Sequence, residues 1–290
     1  MVSPIPTTAL TMCRYIVSLS LTLKYVTIDN YVSGVISLNK YYGCDVFFIR
    51  QDFTFKTTMA GIRRVLGDPS PERPTLSVGN LLDMFQNIVL SDVNHRTMWA
   101  CIVLSFRALL RKSNLVPNTL KEARSSSSHF LRRGAVSFHE YGMLINVSSS
   151  KTIQYGQRLH KIPVTYSKGS PLCAVSFIRR HFDEFPVVTR DSPAFILQYN
   201  DGTRPLLYPV LLKFLKFLLS SIDLELNRAG MHSLRRAGAA YMHSIGISLE
   251  DIRDTGDWAS MAALIYLTKP LDIKIVVDQT ISSDLSKLCI

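Results

Sequence analysis

The chain has 290 residues and a formal net charge of +11, from 33 Lys and Arg against 22 Asp and Glu. Apolar residues make up 47% and charged residues 19%, which excludes a disordered chain and leaves room for one large or two ordinary domains with real cores. A globular chain this basic points to a polyanionic partner, nucleic acid first, with a merely soluble basic protein as the plain alternative.

Residues 7–66 read as helices. The stretch "ALTMCRYIVSLSLTL" (9–23) is interrupted by Arg14 and is too short to span a membrane, so it reads as a buried amphipathic helix. "TIDNYVSGVISLNKYYG" places Tyr31, Val35 and Leu38 at helical spacing and stops at Gly43. A further helix covers roughly 52–66. "GDPSPERP" (67–74) holds three prolines in eight residues and predicts a linker, hence a domain boundary.

Beyond it, "SVGNLLDMFQNIV" and "NHRTMWACIVLSFRALLRK" read as two helices, the second carrying Arg111 near its end. A polar loop with "SSSS" (125–128) follows. "GAVSFHE", "MLINV" (143–147) and "KIPVTY" (161–166) then predict three strands, the last two joined by "SSSKTIQYGQRLH". The rest reads as helices over 171–183, 206–222, 232–245, 248–255 and 260–268. "LLYPVLLKFLKFLL" (206–219) carries Lys213 and Lys216 on one face and again reads as amphipathic, not as a membrane span. The fold class expected is mainly α with a small antiparallel β-sheet (α+β). The five cysteines, Cys13, Cys44, Cys101, Cys173 and Cys289, are scattered, odd in number and without a C-x-x-C, so reduced thiols in an intracellular protein are expected, with no zinc site.

Four islands in the second region carry suitable chemistry: Arg111 in "LLRKSNLVP", Lys151 in "SSSKTIQ", His232 and Arg235 in "HSLRR", and Tyr266 in "TGDWASMAALIYL". Residues three apart on a helix share a face, so His232 and Arg235 can converge on one anion. Each island has a plain structural reading. Tyr266 is one of 12 tyrosines and an apolar-flanked Tyr is usually core. Lys151 suits a solvated turn, Arg111 a helix end where it offsets the dipole, and His232 a core histidine. Arg236 is structural or phosphate-contacting. Lys121, Arg124, Arg132, Arg133, Arg158, His160 and Lys161 flank the predicted sheet and suit either a DNA backbone or a solvated face.

In this order the four islands resemble the tyrosine recombinase and integrase family, whose set is Arg, Lys, His-x-x-Arg, a His or Trp, and a nucleophilic Tyr. "LLRKSNL" looks like the family's G-L-R-x-S-E-L, and "LLRKSNLVP" with "GDWAS" looks closest to eukaryotic transposon integrases of the Crypton and DIRS types. The resemblance implies a DNA breaking-rejoining catalytic domain at 75–290, preceded by an all-helical, SAM-like core-binding domain at 1–74. It implies site-specific DNA cleavage and rejoining: Tyr266 attacks the scissile phosphate and forms a 3′-phosphotyrosine, releasing a 5′-hydroxyl. Arg111 and Arg235 brace the non-bridging oxygens, since a planar guanidinium matches two phosphate oxygens. Lys151 protonates the leaving oxygen and His232 assists proton transfer. The phosphotyrosine stores the bond energy, so no cofactor and no metal is expected. The partners implied are double-stranded DNA and further copies of the chain on that DNA, with no membrane, and a nuclear location.

Where the family has His, this chain has Asp257, nine residues before Tyr266 and followed by Trp258. A carboxylate near the phosphate is repulsive, so Asp257 is expected to point away while Trp258 packs against the site one position late. The departure leaves two other readings open: a catalytically weak or inactive recombinase-derived DNA-binding protein, or a basic helical protein-interaction module.

Overall fold

In a computed structural model the chain divides into two compact units, Met1–Glu72 and Arg73–Ile290. The structure describes residues 5–67, 76–125, 129–150, 152–153, 157–186, 189–224 and 230–258. Most of the predicted linker, the predicted helix at 260–268, and both Lys151 and Tyr266 lie outside the described residues.

The first unit is built on three helices, α1 (Ala9–Ser20), α2 (Tyr25–Tyr41) and α3 (Phe53–Leu66). Thr8 starts α1 by accepting the Thr11 backbone N–H at 3.1 Å, and Asp52 starts α3 by accepting that of Phe55 at 2.9 Å. The apolar positions recur one turn apart: Met12 and Ile16, Ile28 and Val32, Phe55 and Met59 are all buried in one cluster. Buried Asn39 of α2 is satisfied by Thr7, in the segment before α1. It accepts the Thr7 N–H at 2.8 Å and donates to the Thr7 hydroxyl at 2.9 Å. Tyr41, Tyr42, Phe47, Phe48 and Phe53 stay exposed.

The second unit forms around α5 (Val93–Arg107), buried along its whole surface from Arg96 to Phe106. A helix apolar all round must be enclosed by other elements, and α8 (Ala174–Glu184) and α10 (Met231–Ser244) pack along it. Trp99 is fully buried and donates its indole N–H to the Pro171 carbonyl at 2.9 Å. Burial of a Leu, Ile or Phe side chain contributes about 1.5–3 kcal/mol, so this one helix supplies much of the unit's stability. Contact with α10 is close because of Gly238: a Cβ there would lie 2.0 Å from the Phe106 carbonyl oxygen. The helix α4 (Val78–Gln86) opens with a capping box between Ser77 and Asn80 and packs Leu81 and Met84 into the same core.

The strands β1 (Val136–His139), β2 (Gly142–Val147) and β3 (His160–Thr165) form an antiparallel sheet in that order. Alternation sets the faces: in β3, His160, Ile162 and Val164 point inward while Lys161, Pro163 and Thr165 are exposed. A second hairpin, β4 (Ile196–Tyr199) and β5 (Gly202–Pro205), was not expected from the sequence. The remaining helices are short α6 (Lys112–Leu115) and α7 (Leu120–Arg124), then α9 (Tyr208–Ser220) and α11 (Leu249–Thr255). No helix among the described residues is long and apolar enough to cross a membrane.

One boundary differs in a way that matters. The apolar run after Phe106 reads as continuing helix, but α5 ends at Arg107 and Leu109 takes a left-handed φ of 50°. Arg111 therefore sits in extended backbone before α6, not at the end of the long helix.

Candidate active site

The floor of the site follows from that early helix end. With the chain turned at Leu109, its carbonyl is free to accept from the Arg235 guanidinium of α10. Arg235 donates its other terminal nitrogen to the carbonyl of Gly256, just past α11. It is 2% exposed, and its guanidinium carbon lies 4.0 Å over the Trp258 ring. Backbone oxygens and an aromatic face satisfy this buried cation. Arg235 thus ties together three segments far apart in sequence: the end of α5, α10 and the end of α11. Leu109, Ala239 and Ile252 make a small apolar cluster beside it, with Met242 and Trp258 packed against them.

The rim is built differently. Asp257 sits at φ 52° directly after α11, a conformation in which Asp is one of the few tolerated residues. Its carboxylate is buried and accepts from the Ser150 hydroxyl at 2.9 Å, from the Thr152 hydroxyl and from the Arg158 guanidinium. Arg111 also reaches this residue, with Nη1 3.7 Å from Oδ2 and Nη2 donating to the Asp257 carbonyl at 3.2 Å. Burial alone pushes the Asp257 carboxyl up. The hydrogen bonds from Thr152, Ser150 and Arg158, with the Arg158 charge, outweigh it and hold the group below the usual carboxylate range. The expectation that Asp257 points away is overturned: it points in, because Ser150, Thr152 and Arg158 and, from the extended segment before α6, Arg111 converge on it. Trp258 packs under Arg235, as a neighbour of the site.

Arg111, Arg235, Ser150, His160 and Asp257 line one small cavity, together with Leu109, Asn114 and Gly256. His232 shares a face of α10 with Arg235 but is exposed on the first turn, while Arg235 is buried. Of the flanking basic residues, Arg132 is tied to the carbonyls of Asp191 and Ser125, and Arg133 lies 4.0 Å over the Phe182 ring. Buried His160 contacts the Thr255 carbonyl at 3.2 Å. Sequence alone groups Arg158 with these flanking residues and does not single out Ser150 and Thr152. The signal available for Ser150 and Thr152 was their position on either side of Lys151. Among the described residues no group of three or more His, Cys, Asp or Glu could hold a metal ion.

A further histidine, His181 of α8, is buried apart from this site. It is 2% exposed between the Thr97 hydroxyl at 2.9 Å and the Ala194 carbonyl at 3.2 Å. Burial and the nearby Arg133 charge lower its pKa to about 4.

No family model and no curated protein sequence matches the chain. Solved structures do. The integrase of transposon Tn1549, in complex with transposon right end DNA, superposes with a TM-score of 0.64 at 14% identity, covering 95% of this chain and 86% of that one. The site-specific recombinase XerH, bound to a palindromic difH substrate in a post-cleavage complex, gives 0.60 at 13% identity, over 90% of this chain and 69% of that one. The XerA recombinase gives 0.51 at 15% identity, over 94% of this chain and 90% of that one. The chain has the fold of the tyrosine recombinases and integrases.

Proposed function

We propose that this chain cleaves and rejoins duplex DNA at specific sites through a 3′-phosphotyrosine. The observation that carries the reading is the likeness, across 95% of the chain, to an integrase bound to transposon DNA. The gathering of Arg111 and Arg235 around one cavity supports it. In this reading the Tyr266 oxygen attacks phosphorus, its proton leaving with help from His232. The bond to the 5′-oxygen breaks, and Lys151 supplies the proton that makes it a hydroxyl. Arg111 and Arg235 brace the non-bridging oxygens as charge reorganises. Rejoining reverses the step: the 5′-hydroxyl attacks the phosphotyrosine, so no nucleotide or other small-molecule cofactor is called for. Residues 1–74 act as the helical core-binding domain and 75–290 as the catalytic domain, with copies of the chain associating on DNA. The wording of "LLRKSNLVP" and "GDWAS" supports a relation to Crypton- and DIRS-type integrases and, with it, a nuclear site of action.

The test is incubation with a nicked suicide duplex followed by a denaturing gel. A covalent adduct is expected, and protease digestion should place the nucleotide on residues 261–269. Tyr266→Phe should lose the adduct and keep its affinity for DNA, since one hydroxyl is removed. An adduct that persists in Tyr266→Phe overturns the assignment.

A further inference from the structure

We infer that Arg158 is a further phosphate-binding residue of this site and that Asp257 is the positioning residue that holds it there. The inference rests on the strand-cleavage reading above. Arg158 lies two residues before β3, and its side chain is 49% exposed. A guanidinium has five N–H donors in a fixed plane. Among the described residues, the Asp257 carboxylate is its one hydrogen-bond partner, through a single terminal nitrogen. The other donors of a half-exposed cation remain for a ligand.

Asp257 engages Arg158 through Oδ1 and faces Arg111 through Oδ2. Two guanidiniums that share one carboxylate stand within reach of a single phosphate beside it. Both oxygens are also occupied: Oδ1 by Arg158, and Oδ2 by the hydroxyls of Ser150 and Thr152. A carboxylate saturated in this way fixes the planes of its partners, and the Arg111–Arg158–Asp257 group still carries one net positive charge. Ser150 and Thr152 flank Lys151 in sequence, so the carboxylate that holds Arg158 also pins the residues on either side of the lysine.

Two arrangements share this geometry and differ in sign. A carboxylate that positions the arginines aids phosphate binding, whereas one that stands in for the phosphate blocks it. The saturation of Asp257 by fixed hydroxyls favours positioning, because an occupant to be displaced would have to leave a buried, fully bonded place.

The experiment measures adduct formation on the nicked duplex for wild type, Arg158→Ala, Arg158→Lys and Asp257→Asn. It also measures the salt dependence of duplex binding in a Tyr266→Phe background. Arg158→Ala should slow cleavage about 100-fold, in the range for loss of one donor to a transition state. Arg158→Lys should recover only part of it, since a point charge lacks the fork. Asp257→Asn should slow cleavage about tenfold. In the Tyr266→Phe background, Arg158→Ala should lower the slope of log K against log salt by about 1, the mark of one lost phosphate contact. Cleavage by Arg158→Ala within threefold of wild type overturns the proposal. So does faster cleavage by Asp257→Asn, which identifies a blocking carboxylate. If wild type itself forms no adduct, the strand-cleavage reading fails. The salt slope then decides for Arg158: unchanged, it overturns the phosphate contact, and lowered by about 1, it upholds it.

Discussion

Arg235 and Arg158 are both arginines of one site, yet they are held in opposite ways. Arg235 is 2% exposed and bonded to the carbonyls of Leu109 and Gly256 over the Trp258 ring. Arg158 is half-exposed and bonded to a carboxylate. A cation held by backbone carbonyls cannot move without breaking the chain's own turns, so the floor is rigid. A cation held at the rim by a buried, hydrogen-bonded carboxylate keeps its place while its other donors face outward. The difference teaches that one arginine of the site also holds its shape, while the other is tied only to the rim and presents most of its donors outward.

Substitutions sharpen this contrast, starting with the floor. Arg235→Met should destabilise the second unit by about 4 kcal/mol, because two buried carbonyls lose their donor at once. Urea titration followed by Trp99 and Trp258 fluorescence measures it; a loss under 1 kcal/mol would place Arg235 among the mobile groups. His181 obeys the floor's rule at a distance, being a buried nitrogen group satisfied by uncharged partners. Its folded pKa of about 4 lies below the ordinary imidazole value of 6.5, so the unfolded chain binds more protons between those values. Its contribution to stability is present above pH 6.5 and lost as pH falls toward 4, by about 3 kcal/mol in all. Urea midpoints measured from pH 7 to pH 4 should show that slope, and His181→Gln should flatten it. Gly238→Ala should cost about 2 kcal/mol, since a Cβ 2.0 Å from the Phe106 oxygen and 2.6 Å from Leu109 Cδ2 forces α5 and α10 apart. At the rim the effect nearly vanishes. Arg158→Ala should lower the unfolding free energy by less than about 1 kcal/mol, because the Asp257 carboxylate keeps Ser150, Thr152 and Arg111 as partners and the lost cation is half-exposed. A larger loss would erase the distinction between floor and rim.

The sequence was legible where periodicity governs. α1 to α3, the core of α5 and the three strands of the larger sheet follow from apolar spacing alone. It was partly legible at β4–β5, where "NDG" gathers the turn-forming residues Asn200, Asp201 and Gly202, the last at a positive φ. The end of α5 was not legible. No Gly or Pro marks it, and the left-handed turn at Leu109 is stabilised by an acceptor role for its carbonyl toward Arg235, 126 residues away. Asp257 was misplaced for the same reason. A local view sees an acid in a slot meant for a donor to phosphate. The structure surrounds it with partners contributed by 149–158, which no spacing rule connects to α11.

That remoteness has a kinetic side. The groups gathered by the Asp257 carboxylate and carbonyl lie 99, 105, 107 and 146 residues away along the chain. Contacts of such separation form only after long loops have closed, and closure costs entropy before any contact offsets it. The rim is therefore expected to assemble after α5 has collected its neighbours, and to be absent from the folding transition state. Asp257→Ala should then leave the refolding rate almost unchanged while hastening unfolding, so that the anion-binding rim is the last part of the molecule to arrive and the first to come apart.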